Sequence, residues 1–409
     1  MGSAENDSDR PLVLAYYFPN WHRDERNSEW FTPDWDEWHL VRNAKPRFPG
    51  HRQPRVPALG YFDEASPGVA EMQIALASTY GVDGFLIDYY WYDDGPYLQR
   101  ALDEGIMQAR NRGDVRFALM WANHQLLDIF PAPDRSPDRL KNGAIGREAF
   151  EAMVHHIITE YFSSPNYLTI DGCPWFSLYE VGTFVSGMGG LQQASDALEW
   201  FRQQVIAAGF PGLHLDLLVW GFGVLPEAVT VDDDADIVRA LTADSASSYV
   251  WIHHADMADF PFPQASAQAL REAAFADYER LAASLEVPFY PNVTVGWDSS
   301  PRVAQSAPFA HGDYPRTPVW DQTPQEFAEG LRRAQEFLRE HAPRNPIVTI
   351  NAWNEWTEGS SLLPDRDHGL AYLEAIREVF GEPRPLDVAN LADETIPPST
   401  IDSPVREVR

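Results

Sequence analysis

The sequence predicts an α/β protein, a single (β/α)8 TIM barrel, and two observations indicate this fold. Short apolar, β-branched or aromatic segments recur eight times along the chain, with amphipathic stretches of helical period between them. This alternation is typical of βα units around a parallel sheet. The chain has 409 residues, of which 44% are hydrophobic, which is enough for one large core. Barrels of this length are commonly a single domain.

The predicted strands are spaced so that a helix fits between most consecutive pairs. In chain order they are Leu12–Tyr17, Gly84–Tyr89, Arg116–Trp121, Pro174–Tyr179, Leu215–Trp220, Ser248–Ile252, Pro288–Val295 and Ile347–Ala352. Helices are predicted over Gly68–Tyr80, Pro96–Arg112, Arg147–Phe162, Gln192–Ala208, Gln264–Leu285, Pro324–His341 and His368–Phe380. The segment Trp21–Gly60 shows neither period and is rich in Trp, Pro, Arg and His. We therefore expect a long first βα loop there, of the kind that binds ligands.

The two ends of the chain differ in composition from the barrel. We expect residues 1–10 to form a flexible leader, residues 11–381 the barrel, and residues 382–409 a polar, Pro-rich tail. The leader is acidic where a secretory signal has basic residues and then an apolar stretch, which favours a cytoplasmic location. Secretion stays open if Met1-Gly2-Ser3 stand in place of a removed signal.

Charge and cysteine content argue against several kinds of partner. The chain has 61 acidic and 31 basic residues and a formal net charge of -30. Such a surface repels phosphate backbones and anionic lipid, so we expect neither nucleic acid nor membrane as a partner. Cys173 is the only cysteine, and no residues have the spacing of a zinc site. We expect no metal and no cofactor, and the oligomeric state stays open.

Aromatic and carboxylate residues gather at the predicted strand ends, where the active site of a parallel barrel lies. In chain order they are Tyr16, Tyr17, Asp88, Tyr89, Trp91, Trp121, Asn123, His124, Tyr179, Glu180, Trp220, Trp251, His253, Trp297, Asn351, Trp353, Asn354, Glu355, Trp356 and Glu358. Aromatic faces stack on the C–H surfaces of sugar rings, while carboxylates and amides take the hydroxyls. A carbohydrate substrate is therefore predicted. The alternative is that the aromatic residues complete the barrel core.

The segment Asn354-Glu355-Trp356-Thr357-Glu358-Gly359 directly follows the last predicted strand. Residues three apart in a tight turn can present both carboxyl groups on one side. Two carboxyl groups facing one bond are what glycoside cleavage requires, and Trp353 and Trp356 offer an apolar wall that can separate their pKa values. We therefore predict Glu355 and Glu358 as the catalytic pair. The alternative is a solvated pair that caps the eighth helix.

The motif Asn354-Glu355-Trp356-x-Glu358-Gly359 resembles the catalytic signature of glycoside hydrolase family 99. The wider chain is similar to the WbsX group of family 99-like proteins, which are often associated with polysaccharide biosynthesis. The resemblance covers residues 11–380. It is carried by AYYFPNWH at 15–22, GVDGF at 81–85, YYW at 89–91 and NAWNEW at 351–356.

The resemblance implies a metal-independent, endo-acting and retaining α-mannosidase-like enzyme on a (β/α)8 barrel. It implies that Glu355 deprotonates the sugar 2-hydroxyl, which attacks the anomeric carbon to give a 1,2-anhydro sugar. Glu358 would protonate the leaving oxygen and later activate water. By position, Tyr16, Tyr17 and Trp21 would line the sugar subsites. The chain departs from the family 99 motif at Thr357, where histidine is expected, so the sugar stays open.

Two other functions compete with a hydrolase. A glycosyltransferase would fit the WbsX association, and the acidic run at residues 232–234 is the type of group that holds a metal and a nucleotide sugar. That run lies in a polar stretch typical of a solvated loop, and the chain has no glycine-rich phosphate loop. An inert carbohydrate-binding barrel is the third possibility, but a binding module needs neither Glu355 nor Glu358.

Overall fold

The predicted (β/α)8 barrel is confirmed by a computed structural model, which describes residues 10–132, 137–220 and 233–383. Most of the predicted leader and tail, and residue 232 of the acidic run, lie outside these ranges. The barrel strands are β1 Leu12–Tyr17, β2 Gly84–Tyr92, β3 Arg116–Trp121, β4 Cys173–Leu178, β5 His214–Leu218 and β6 Ser245–Ser247. They continue with β7, which has two parts, Phe289–Tyr290 and Asn292–Thr294, and β8 Ile347–Asn351.

The ring of parallel strands closes through β7. Its first part pairs with β6, Ala246 opposite Phe289, and its second part pairs with β8, Asn292 opposite Thr349. Pro291 separates the two parts, because a proline has no N–H to give to a strand ladder. On the other side β1 lies between β2 and β8. All residues of β1 and β2 are buried, as expected for strands covered on both faces.

Ten α-helices surround the barrel or lie in its loops in the described ranges. They are α1 Glu25–Trp30, α2 Trp38–Asn43, α3 Pro67–Thr79, α4 Arg147–Ile157, α5 Val181–Met188, α6 Leu191–Ala207, α7 Asp234–Ala240, α8 Ala267–Ser284, α9 Pro324–His341 and α10 Ala371–Phe380. Short strand pairs join Gly95–Tyr97 to β2, Thr169–Ile170 to β4, Leu126–Leu127 to Arg139–Lys141, Gly296–Trp297 to Trp320–Asp321 and Asn354–Glu355 to Ser360–Ser361. No helix in the described ranges is long and apolar enough to cross a bilayer.

Two predicted elements differ from the structure. The predicted helix Pro96–Arg112 is a series of tight turns instead, a π-helical one over Ala101–Gly105 and a 3-10 turn over Ile106–Gln108. Gly105 packs so closely on the backbone carbonyl of Glu64 that a side chain has no room there.

The sixth strand was also predicted wrongly. It covers Ser245–Ser247, whereas the predicted residues Ser248–Ile252 leave the sheet and enter a 3-10 turn over Trp251–His254. The Ser248 carbonyl accepts hydrogen bonds from the hydroxyls of Tyr16 and Thr349, each at 3.1 Å, instead of pairing with the backbone of a neighbouring strand.

Helix α9 provides a direct test of the packing. It begins with a capping box between Thr323 and Glu326, and its residue Phe337 is fully buried against the rings of Phe275 and Phe289. We expect Phe337→Ala to lower the free energy of unfolding by about 3–5 kcal/mol, because it leaves a cavity. The exposed neighbour Glu336 is the control, and Glu336→Ala should change stability by no more than about 0.5 kcal/mol in urea unfolding. Equal costs for the two variants would contradict this packing.

Candidate active site

The turn after β8 carries Glu355 and Glu358 into one pocket. Asn354–Glu355 forms a short antiparallel pair, and a 3-10 turn over Trp356–Glu358 is closed by Gly359 at φ 66°. Glycine suits this left-handed conformation, and a Cβ there would stand 2.7 Å from the side chain of Asp298. The N–H of Asp298 donates to the Glu358 carbonyl at 2.5 Å. The turn is therefore fixed at the end of the strand.

The pocket has a volume of about 880 Å³, counting its open side. It brings together seven of the predicted site residues: Asp88, His124, Tyr179, His253, Trp297, Glu355 and Glu358. The two glutamates are only 4% and 5% exposed. They are therefore not a solvated pair, because both side chains are buried in the same pocket.

Arg302 joins three carboxylates at the base of this pocket. Its Nη1 donates to Glu358 Oε1 at 2.5 Å and its Nη2 to Glu355 Oε1 at 3.3 Å. Its Nη2 and Nε also reach Glu37 Oε1, at 2.9 and 3.2 Å. The Tyr314 hydroxyl adds a second donor to Glu358 Oε1 at 2.7 Å. Glu358 is thus better stabilised as an anion than Glu355.

The hydroxyl of Tyr249 bridges two carboxyl groups. It lies 2.8 Å from Glu355 Oε2 and 3.1 Å from Asp88 Oδ2. A hydroxyl has one proton, so Tyr249 can donate to only one of the two. The second contact is a hydrogen bond only when the other carboxyl is protonated and donates to the Tyr249 oxygen. The geometry therefore favours a proton held on Asp88 or Glu355.

The electrostatics of the pocket agree with this geometry. Burial, and then the charge of Glu358, hold the pKa of Glu355 well above its ordinary value, and the charge of Arg302 offsets this only in part. Burial also raises the pKa of Glu358, but Arg302 and the Tyr314 hydrogen bond oppose the shift. Burial likewise holds the pKa of Asp88 well above its ordinary value. The proton is therefore favoured on the side of Asp88 and Glu355.

Arg302 is the only lysine or arginine among the described residues that line the pocket. The two histidines in the lining do not add positive charge at neutral pH. Burial lowers the pKa of His124, and it lowers that of His253 well below the ordinary value, so both rings are neutral. Three carboxyl groups thus face one guanidinium.

Fourteen predicted site residues lie outside the pocket lining, and those from the first strand and the loop after it pack into the core. The Tyr16 hydroxyl donates to Ser248, and the Tyr17 hydroxyl donates to Glu64 at 3.0 Å. The Trp21 ring lies on the Trp38 ring, with 4.1 Å between their centroids. All three predicted residues are 0–1% exposed and therefore lie in the core rather than on the pocket surface.

The predicted residues from strands two to four that lie outside the lining also contact other parts of the protein. Tyr89 and Trp91 pack on Tyr161 and His156, and the Trp121 indole donates to the Trp91 carbonyl. The Asn123 side chain holds both backbone groups of Glu180, at 2.7 and 2.8 Å. Burial raises the pKa of Glu180 to about 7, and its carboxylate accepts from Thr183.

The remaining predicted residues surround the pocket without lining it. The Trp220 ring lies 4.3 Å from that of His253, Trp251 stacks on Trp320, and Trp356 packs against Trp38. The Trp353 indole donates to Gln73, and the Asn354 side chain bonds the backbone of Phe18. Asn351 is buried. These contacts support the alternative that many strand-end aromatics complete the core.

Three residues that the sequence did not single out contact the glutamates, and a fourth, Glu37, contacts Arg302. Tyr249 lies inside the predicted sixth strand, two residues before the predicted site residue Trp251. This proximity is the sequence feature that could have indicated a role for Tyr249 in the site. Arg302 and Tyr314 come from the loop after β7, and Glu37 precedes α2 in the first loop. These loops show no sequence period, so spatial contact alone reveals their role.

Solved structures of other proteins share this barrel fold. The chain superposes on the GH99 endo-alpha-mannosidase from Bacteroides thetaiotaomicron with a TM-score of 0.51 and 13% identity, covering 90% of this chain and 96% of that one. It superposes on a glycoside hydrolase-like protein with a TM-score of 0.57 and 13% identity, covering 93% and 96%. At these identities the likeness shows the fold alone, a (β/α)8 barrel.

The chain belongs to the family described as Glycosyltransferase WbsX, which matches residues 13–376. It is 28% identical over 375 residues to the uncharacterized protein WxcX of Xanthomonas campestris pv. campestris strain B100, covering 90% of this chain and 49% of that protein. The WxcX protein of strain ATCC 33913 is 28% identical over 377 residues with the same coverage. The chain thus spans about half the length of these relatives.

The role of Arg302 can be tested without a substrate. Because its charge lowers the pKa of both glutamates, we expect Arg302→Met to raise both pKa values further. We also expect it to lower the free energy of unfolding by about 3–5 kcal/mol, because buried carboxylates lose their counter-charge. Carboxyl ¹³C NMR titration and urea unfolding measure the two effects. Arg302→Lys keeps the charge and should change both quantities less; equal behaviour of the two variants would contradict a role for the charge.

Proposed function

We propose that this chain is a glycoside hydrolase that cleaves an oligosaccharide or polysaccharide linkage with retention of configuration. The observation that supports this most strongly is the placement of Glu355 and Glu358 on one turn, buried in one pocket and sharing the guanidinium of Arg302. Glycoside cleavage uses two carboxyl groups, one protonated and one ionised, at a single bond. A pocket whose carboxyl groups outnumber its cations favours that mixed state.

In the proposed reaction Glu355 takes the proton of the sugar 2-hydroxyl, whose oxygen attacks the anomeric carbon. Glu358 gives its proton to the leaving oxygen. Glu358 later removes a proton from the water that attacks the anomeric carbon of the 1,2-anhydro sugar, and Glu355 returns its proton to the 2-oxygen as the bond between that oxygen and the anomeric carbon breaks. In the free pocket the proton is favoured on Glu355, since Arg302 and Tyr314 stabilise the Glu358 anion. Transfer of this proton to Glu358 gives the reactive form.

Thr357 is the residue at which the chain departs from the family 99 motif, and its contact is with a residue that holds Arg302. Its hydroxyl donates to Glu37, which holds Arg302, and Thr357 is not among the residues that line the pocket. The residue that differs from the family 99 motif therefore acts on the charge balance rather than on a sugar. An endo-acting enzyme on an α-mannoside-like glycan is one candidate.

A glycosyltransferase is the second candidate, because the family description names that activity. The pocket supports it less well, since Arg302, the one guanidinium among its described lining residues, is already bonded to carboxylates and is poorly available for a nucleotide diphosphate. Titration with nucleotide sugars, with and without divalent metal, separates the two. Tight, metal-dependent nucleotide binding would contradict the hydrolase proposal.

A screen of defined bacterial and fungal polysaccharides tests the proposal as a whole. Products are identified by mass spectrometry, and the anomeric configuration of the first product is followed by NMR. The proposal expects cleavage with retention on at least one glycan. Binding without any cleavage across the screen would instead support an inert carbohydrate-binding barrel.

Substitutions separate the roles of the two glutamates. Glu355→Gln and Glu358→Gln should each reduce kcat on a natural glycan by about 10²–10⁴-fold, the typical loss of one proton-transfer group. With an activated aryl leaving group, Glu358→Gln should keep much of its glycosylation rate, while Glu355→Gln should stay slow. The exposed Glu340→Gln on α9 is the matched control. A 2-deoxy substrate turned over at the normal rate would exclude participation of the 2-hydroxyl.

Turnover should persist in the presence of EDTA, because the proposed steps use only carboxyl groups and hydrogen-bond donors of this chain. The measurement is the initial rate on the glycan found in the screen, before and after dialysis against EDTA. A loss of rate that a divalent ion restores would show a metal requirement outside this account.

A further inference from the structure

Asp88 is a carboxyl group of the catalytic pocket to which the proposed reaction gives no role. It belongs to β2, lines the pocket and is 3% exposed. Its Oδ2 lies 3.1 Å from the Tyr249 hydroxyl, and its Oδ1 has no hydrogen-bond partner among the described residues. The Arg302 guanidinium pairs with Glu355 and Glu358. Asp88 itself forms no ion pair with any residue that the structure describes.

A buried carboxyl group with these contacts favours its neutral form. Both oxygens of an ionised carboxylate need donors, and leaving one unpaired in a protein interior is costly. A protonated carboxyl group needs one acceptor for its O–H, and the Tyr249 oxygen is within reach. Burial accordingly raises the pKa of Asp88 well above its ordinary value, and the charge of Glu358 adds to the shift. The Tyr249 hydrogen bond and the charge of Arg302 oppose it.

The other described ionisable groups within range of the Asp88 charge are all acids, so none of them adds positive charge next to Asp88. They are Tyr16, Tyr90, Tyr179 and Glu355. The surroundings of Asp88 therefore agree with its hydrogen-bond geometry in favouring the protonated form.

The ring of Tyr249 is held by packing, so that its hydroxyl stays between the two carboxyl groups. Its centroid lies 4.6 Å from that of Tyr16 and 5.2 Å from that of Tyr179, and all three rings are buried. The hydroxyl lies 2.8 Å from Glu355 Oε2 and 3.1 Å from Asp88 Oδ2. The protons therefore decide the direction of each hydrogen bond.

Two arrangements of the protons satisfy both contacts. In the first, Asp88 is protonated and donates to the Tyr249 oxygen, whose own proton goes to Glu355. In the second, Glu355 is protonated and both hydrogen bonds run the other way. The first leaves the negative charge on Glu355, whose Oε1 is 3.3 Å from Arg302 Nη2. The second leaves it on Asp88, which has no ion pair in the described structure. The first arrangement is therefore favoured.

We propose that Asp88 is a positioning residue that remains protonated and, through Tyr249, directs a hydrogen bond onto Glu355. This inference rests on the proposed role of Glu355 as the base. The proton of Asp88 is distinct from the proton that Glu355 and Glu358 share, and Asp88 neither gives nor takes a proton in the reaction. A fixed donor at Glu355 Oε2 stabilises the Glu355 anion. It thereby favours transfer of the shared proton to Glu358, as the reactive form requires.

The protonation state of Asp88 can be measured without a substrate. Full-length protein is labelled with ¹³C at the aspartate side-chain carboxyl groups, and the NMR signal that is absent from the Asp88→Asn variant is assigned to Asp88. We expect this signal to stay in the protonated range at neutral pH. Titration of Asp88 near the ordinary aspartate value of about 3.9 would overturn the inference, whether or not any glycan is cleaved.

The pH dependence of kcat/KM, on the glycan found in the screen, tests how Asp88 acts on Glu355. Asp88→Ala and Tyr249→Phe each remove the hydrogen bond or its direction. Each should move the acidic limb up by roughly one pH unit, the value of a hydrogen bond to a charged group, which lowers kcat/KM on that limb about tenfold. Tyr249→Phe keeps the ring and its packing, so it provides the test even if Asp88→Ala does not fold.

Asp88→Asn is the conservative variant that tests which form of Asp88 acts. Its amide N–H can donate to the Tyr249 oxygen as a protonated carboxyl group does, so it should recover most of the limb shift and of the rate that Asp88→Ala loses. Asp103→Ala is the matched control, because Asp103 also accepts from a tyrosine, Tyr161, at 2.7 Å, but does not line the pocket. It should leave the pH profile unchanged.

The possible failures are distinct. If Asp88→Asn shifts the limb as far as Asp88→Ala, the ionised form of Asp88 is the active one and the inference is overturned. An unchanged limb in both Asp88→Ala and Tyr249→Phe also overturns it, and the glycosidase proposal stands as long as the glycan is cleaved. A screen without any cleavage overturns the glycosidase proposal, even if the NMR signal shows a protonated Asp88.

Discussion

The buried guanidinium of Arg302 is the interaction on which the rest of the site depends. Moving a carboxylate from water into a protein interior is costly unless a counter-charge and hydrogen bonds compensate. Arg302 reaches Glu37, Glu355 and Glu358, and one positive charge cannot balance all of them together with Asp88. The pocket is therefore biased to retain a proton at neutral pH. A retained proton next to an ionised carboxylate is the requirement for acid–base chemistry at a glycosidic bond.

The first βα loop supports this arrangement from outside the barrel. It supplies Glu37 to Arg302, and it supplies His51 and Gln53 to Asp298, at 2.8 and 2.6 Å. Burial raises the pKa of Asp298, but the His51 hydrogen bond and the nearby charges outweigh this and lower it to about 2. Asp298 stays ionised, and its backbone holds the turn of Glu358.

The sequence predicted the barrel because strands covered on both faces appear as continuous apolar runs. It misplaced the sixth strand because Ser245 and Ser247 are polar, and their hydroxyls bond Asp216 inside the barrel at 2.8 and 2.7 Å. The glutamate motif was visible because both residues belong to one short turn. The role of Arg302 was not visible in the sequence, because Arg302 and its partner Glu37 are 265 positions apart. Both residues lie in loops whose sequences have no helical or strand period. Many of the predicted strand-end aromatics lie in the core and outside the pocket lining, and the sequence could not separate the two groups because pocket and core favour the same residue types.

The pH dependence of kcat/KM tests most directly the claim that Glu355 and Glu358 share one proton. Both carboxyls are protonated and inactive at low pH, and both are ionised and inactive at high pH, so the wild type should give a bell. Its two limbs report the pKa values of the pair. Because burial raises both pKa values, the alkaline limb should lie well above the ordinary glutamate value of about 4.3. Glu355→Gln should abolish one limb. A bell of unchanged position and shape in that variant would contradict the shared proton.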